Sequence, residues 1–246
     1  MVDSKGRSQS DVVCGADYAS FHLDTDHVAL LDTNGEIMGK VPLSEIEDVL
    51  VCFASGTKIA TPKGEVAVET LRAGDKVFTR DNGIQEIAWT GSRTLTTKDL
   101  LAAPDLQPVL VRAGSLGSSL PEKDLLLSRN HRLLMSGRRA ALHFSDTEVF
   151  AAAKYMTATD GIDAVQISGV TYVHLMFAQH EVILSNGTWT ESFQPADHVL
   201  NGIHATQRAE IFDLFPDLGQ MEAADPGFGN ARRVLKRHEA AILIKG

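Results

Sequence analysis

The chain has 246 residues, 43% of them hydrophobic and 22% charged, an ordinary balance for a soluble globular protein and enough for one large domain with appendages. Its net charge of −9 argues against a nucleic-acid partner, which needs a basic face, and no apolar run approaches the ~20 residues that span a bilayer. Two cysteines, Cys14 and Cys52, do not make a disulfide framework.

Residues 1–51 read as a leading segment. Its first ten residues are polar and predict disorder, and no apolar core follows the charges of Met1 to Arg7, so no cleavable signal peptide is expected. The default location is the cytoplasm, with export lacking an N-terminal signal left open. Apolar stretches at 27–32 and 36–41 flank Thr33-Asn34-Gly35, and Asn-Gly takes the positive φ angles of a tight turn, which predicts a hairpin. Ser44 is placed to cap a short helix with Glu45, Glu47 and Asp48 in its first turn.

Residues 52–193 read as strands and turns. Strands are predicted at 58–61, 66–68, 76–80, 84–89, 108–112, 125–127, 132–135, 165–167, 170–177 and 181–184, with one helical island at 151–156. Many short strands with frequent Gly, Asn and Asp turns predict an all-β domain. The pattern then changes. Helices are predicted at 206–215, stopped by Pro216, and at 231–244, with a loop at 225–229 between them. Packing against the β domain is the expected role of this 194–246 extension, ahead of separate partner binding.

Cys52 ends an apolar run, Val49-Leu50-Val51, and precedes a glycine turn and a short alternating strand. Far along the chain, Ser128 stands three residues before His131, and His174 and His180 lie in strand-like sequence that closes on Ser185-Asn186-Gly187. A thiol with distant histidines is a nucleophile-and-base pattern. No H-x-x-x-H or C-x-x-C spacing is present, and the acidic stretches at 24–26 and 32–35 lack the closing Glu of a calcium loop, so neither metal nor cofactor is expected. His143, His198, His204 and His238 read as surface or packing residues, and Cys14 as a structural thiol.

The run Cys52-Phe53-Ala54-Ser55-Gly56-Thr57 through Asn82-Gly83, the Ser128…His131 block and the late His180 block together resemble a Hint domain, the self-cleaving module of inteins and Hedgehog proteins. The resemblance is nearest to bacterial Hint domains that open C-F-x-x-G-T-x-I-A-T-P-x-G. It implies an all-β, flattened, horseshoe-shaped disc of short strands with pseudo-two-fold symmetry. It also implies single-turnover autoproteolysis at Val51–Cys52 through a thioester, an autocatalytic reaction in place of multiple-turnover catalysis. The thiol is weakly ionised at neutral pH, and the planar amide resists attack. The family pattern assigns proton donation to the departing nitrogen to His131 and a hydrogen bond near the scissile amide to Ser128; His180 matches the histidine of its late block, and His174, the remaining catalytic candidate, stands close to where inteins often carry Asp or Cys. Inteins end the late block in His-Asn. Here Thr188-Trp189-Thr190-Glu191-Ser192-Phe193 stands instead, which predicts no splicing. Hedgehog proteins carry an Asp where this chain has Trp89-Thr90-Gly91-Ser92, so water or a small thiol or amine is the expected acceptor in place of a sterol. A reading of another class, a Hint-like binding or secretion-associated module that does not cleave, stays open at this point.

Overall fold

A computed structural model describes residues 20–23, 27–31, 37–42, 51–193 and 230–244. At the N-terminus, β1 (Ser20–Leu23), β2 (His27–Leu31) and β3 (Ile37–Pro42) form an antiparallel sheet in that order. The predicted hairpin is the β2–β3 pair. Its Asn-Gly turn, the polar first ten residues, the Ser44 cap, the 206–215 helix and the 225–229 loop lie outside the described residues.

The remainder is mostly strand. β4 (Phe53–Ala54), β5 (Lys58–Thr61), β6 (Gly64–Ala67), β7 (Lys76–Phe78), β8 (Ile84–Glu86) and β9 (Trp89–Thr96) come first. Then come β10 (Val109–Val111), β11 (Leu125–Leu127), β12 (Arg132–Ser136), β13 (Glu148–Ala152) and β14 (Ile162–Ala164). The last are β15 (Gly169–Met176), β16 (Val182–Ser185), β17 (Thr188–Glu191) and β18 (Arg233–Val234). Among the described residues, three short α-helices accompany them: α1 (Thr97–Ala102), α2 (Arg138–Phe144) and α3 (Arg237–Ile244). A six-stranded sheet runs β14-β10-β11-β4-β15-β9, a seven-stranded sheet runs β18-β13-β12-β17-β16-β5-β6, and β7 pairs with β8. The class is all-β, as the sequence predicts, and no described helix is long and apolar enough to cross a membrane.

Differences from the sequence expectation have local causes. Residues 148–152 form β13 where the alanine run predicts a helix starting at 151, and only Ala153–Tyr155 turn helically. Pairing of β13 with β12 along its whole length outweighs the helix propensity of isolated alanines. The helix predicted from 231 begins at Arg237 instead, because Arg233 and Val234 pair in parallel with Val149 and Phe150 on the edge of the sheet. Helix α1 was not expected, although Thr96 and Asp99 form a capping box in which the Thr96 N–H donates to Asp99 Oδ2 at 2.8 Å. The strand predicted at 165–167 falls instead at Ile162–Ala164, paired with β10.

The main core joins both large sheets, with Phe53, Ile59, Leu127, Leu133, Leu175 and Ile183 among its buried members. Leu235 and Ala240 of the C-terminal extension belong to that same core. Arg232 reinforces the attachment through ion pairs to Glu148 and Asp81. The described part of the extension therefore packs against the β domain.

The β16–β17 hairpin turns on Asn186 and Gly187, at φ of 45° and 80°. Asn186 ties this turn to two other segments: Oδ1 accepts from Lys58 N and Nδ2 donates to the Asp124 carbonyl, both at 2.7 Å. A Cβ at position 187 would collide with the Glu122 side chain as well as strain a left-handed backbone. Gly187→Ala is therefore expected to cost about 1–2 kcal/mol, read as a lower midpoint in urea with unchanged slope. An unchanged midpoint would show that the turn relaxes freely.

Candidate functional site

The site is a product of strand register. β4 lies between β11 and β15, with Phe53 opposite Leu127 on one side and Val173 on the other. Both pairings are antiparallel, so one step back along β4 brings Ser128 and His174 to opposite flanks of Cys52. Side chains alternate between faces of a strand. Phe53 accordingly enters the main core, while Cys52 and Ala54 point to the other face and pack with Leu95, Leu100, Val170 and Tyr172. His174 shares the parity of Val170 and Tyr172 on β15, and it meets Cys52 on that face.

The contacts follow. The Cys52 N–H donates to Ser128 Oγ at 2.9 Å, and the Ser128 N–H donates to the Cys52 carbonyl at 3.1 Å. Cys52 Sγ lies 3.1 Å from His174 Nε2. Both residues are sealed, Cys52 at 0% and His174 at 1% exposure, and the Val51 side of the preceding peptide bond is also buried. The His174 ring packs edge-on against Phe193, centroids 5.0 Å apart.

His131 approaches from the core side. It closes the turn between β11 and β12, with its N–H donating to the Ser128 carbonyl at 3.1 Å. Its ring stands edge-on to Phe53 at 4.4 Å between centroids. It is fully buried, and neither ring nitrogen has a hydrogen bond of ordinary geometry. Three of the residues singled out from sequence thus gather at the Val51–Cys52 bond, Cys52, Ser128 and His174, while His131 stands against Phe53 and the Cys52 backbone. His180 sits elsewhere. Its Nδ1 accepts from the Ala231 N–H at 3.2 Å, and its Nε2 lies at ion-pair distance, 3.5 Å, from Glu191 Oε2. Of the histidines read as bystanders, His143 and His238 are exposed, and His198 and His204 lie outside the described residues.

Burial sets the electrostatics. It pushes the Cys52 thiol well above the usual range, and the Ser128 hydroxyl offsets only part of this. Burial pushes His131 down to about 4, against the opposing pull of Glu191 and the Cys52 backbone. Burial pushes His174 down to about 3, partly countered by the Val51 backbone and aided by His131. Near neutral pH the resting site therefore holds a protonated thiol between two neutral imidazoles. The tautomer with its proton on Nδ1 would present the His174 Nε2 lone pair to the thiol.

Sequence reasoning missed Glu191. It appeared only as part of a stretch that departs from the intein ending. Its carboxylate is 1% exposed, accepts from the Arg132 N–H at 2.7 Å and pairs with Arg132 Nη1 at 3.1 Å. The available signal was an acidic residue inside a strand flanked by buried positions, Thr190 and Ser192.

Comparison with known proteins yields no match among curated proteins. Among the solved structures similar to this chain are two of low sequence identity. One is the solution structure of a bacterial intein-like domain from Clostridium thermocellum, 14% identical, covering 59% of this chain and 99% of that one with a TM-score of 0.36. The other is the crystal structure of the MchDnaB-1 intein, 15% identical, covering 57% and 98% of the two chains with a TM-score of 0.34. The family profile described as the Hint domain matches residues 51–197, more than half of the sequence, and the chain accordingly belongs to the Hint-domain family.

Proposed function

We propose that the chain cleaves itself once, at Val51–Cys52, by an N-to-S acyl shift followed by attack of a small nucleophile on the thioester. The observation that carries this reading is the Cys52 thiol 3.1 Å from His174 Nε2 while its own amide N–H is held by Ser128 at 2.9 Å. As Sγ attacks the Val51 carbonyl carbon, the thiol proton passes to His174. His131, neutral at rest, takes up a proton from solvent and passes it to the Cys52 nitrogen as the C–N bond breaks, while His174 gives up the thiol proton. One S–H and one C–N bond are lost, one C–S and one N–H are gained, and the two imidazoles re-equilibrate through solvent. Transferring the thiol proton within a 3.1 Å contact avoids an isolated thiolate, which the buried site disfavours.

Asn186 supports the absence of splicing, since both ends of its side-chain amide are already bonded in the β16–β17 turn. A reporter fused after Gly246 should accordingly stay attached and unligated, as judged by mass spectrometry; a ligated flank would contradict this. The burial that raises the thiol also favours the second reading, a module that does not cleave.

Ser128 gives a graded test. Removing its hydroxyl leaves the buried Cys52 N–H without an acceptor, at a cost of about 1–3 kcal/mol. Ser128→Ala is expected to slow dithiothreitol-induced cleavage about tenfold, the equivalent of ~1.4 kcal/mol, and Ser128→Thr to keep the rate. A Ser128→Ala chain that cleaves at the wild-type rate would remove Ser128 from the mechanism.

A further inference from the structure

His131 is a weak candidate for an acid on burial alone, so what could hold a proton on it decides whether it can serve. The charged groups around it are few. Arg132 follows it in sequence, Glu191 comes from β17 and His180 from the segment before β16, while Cys52 and His174 complete the reacting side. Glu191 is the one carboxylate among them.

The carboxylate is built into place. Pairing of Leu133 with Thr190 sets β12 beside β17 and brings Glu191 against the peptide that joins His131 to Arg132. Oε1 accepts that peptide's N–H at 2.7 Å, and Oε2 takes the Arg132 guanidinium at 3.1 Å and faces His180 Nε2 at 3.5 Å. Since His180 Nδ1 accepts from Ala231, its ring proton sits on Nε2, directed at the carboxylate. The backbone of the C-terminal extension thus fixes the tautomer, and Asn230 Oδ1 lies 3.4 Å from Arg132 Nη1. These contacts hold Glu191 below the ordinary carboxylate range despite complete burial.

We propose that Glu191 is a positioning residue for His131, pinning the His131–Arg132 peptide and setting a buried negative charge that favours the imidazolium needed at Cys52. The assignment rests on the self-cleavage reading above and extends it to a residue outside the expected set. Arg132 opposes Glu191 electrostatically, so the two make a matched pair of tests with opposite sign.

The experiment is an NMR titration of the His131 imidazole in the full chain carrying Cys52→Ala, which keeps it uncleaved, with and without a second substitution. Glu191→Gln is expected to lower the His131 midpoint by about one pH unit. Arg132→Gln is expected to raise it by a similar amount, and it suffices alone if Glu191→Gln does not fold. Midpoints that stay put, or that move in the same direction, overturn the proposal and leave self-cleavage standing. In the Cys52 background, Glu191→Gln should displace the cleavage–pH profile toward lower pH, whereas a uniform loss at every pH indicates a scaffold role only and overturns the proposal. A wild-type chain that never cleaves overturns the reading on which the proposal rests, whatever the titrations give.

Discussion

His174→Ala and His131→Ala are each expected to slow thiol-induced cleavage by about 10²–10⁴-fold, the usual range for general acid or base catalysis. Their failures should differ. His174 faces the sulfur at 3.1 Å, so without it the thiol has no neighbouring base and the acyl shift itself fails. His131 lies against Phe53 and the Cys52 backbone, so without it the tetrahedral adduct forms but returns to amide, because the unprotonated nitrogen cannot leave. Rates measured on variants with matched melting curves test this. Either variant cleaving like wild type moves its role elsewhere, with His180 the remaining candidate.

The same two histidines predict a steep acid limb of stability. The folded chain holds them at about 4 and about 3, below the ordinary 6.5. As pH falls through 6.5 the unfolded chain takes up protons that the folded chain refuses, so stability declines from there until the folded values are reached. Above 6.5 their contribution is complete. Between pH 7 and pH 5 the expected loss is on the order of 4 kcal/mol for the pair. Glu191, held low in the fold, adds a loss with the same sign at still lower pH. Urea denaturation at the two pH values should show the drop in wild type and a much flatter response in His131→Gln/His174→Gln. An equal drop in both would assign the acid sensitivity to other groups.

How much of this was legible in the sequence varies with the kind of constraint. Strands bounded by turn residues, such as Lys58–Thr61 and Leu125–Leu127, read correctly because alternation and punctuation are local signals. β13 and β18 did not, because their extended form comes from partners distant in sequence, which no local pattern encodes. At the site, Cys52, Ser128, His131 and His174 carry recognisable chemistry. Their meeting depends on two registers through Phe53, to Leu127 and to Val173. A one-residue slip in either would turn Ser128 or His174 to the opposite face. Motif position sets His174 and His180 alike behind His131, and only pairing with β4 brings His174 beside the sulfur. Glu191 was invisible for a related reason. An acidic residue in a strand reads as solvent-facing until Arg132 and His180 are seen to enclose it.

The central claim, that Cys52 converts its own preceding amide to a thioester, is tested most directly by the intact mass of purified full-length chain incubated with and without hydroxylamine. The account predicts two products, a fragment ending at Val51 as its hydroxamate and a fragment beginning at Cys52. Cys14→Ala should give the same two products, and Cys52→Ala neither. Cleavage that persists in Cys52→Ala, or a wild-type chain that keeps its full mass under hydroxylamine, would contradict it.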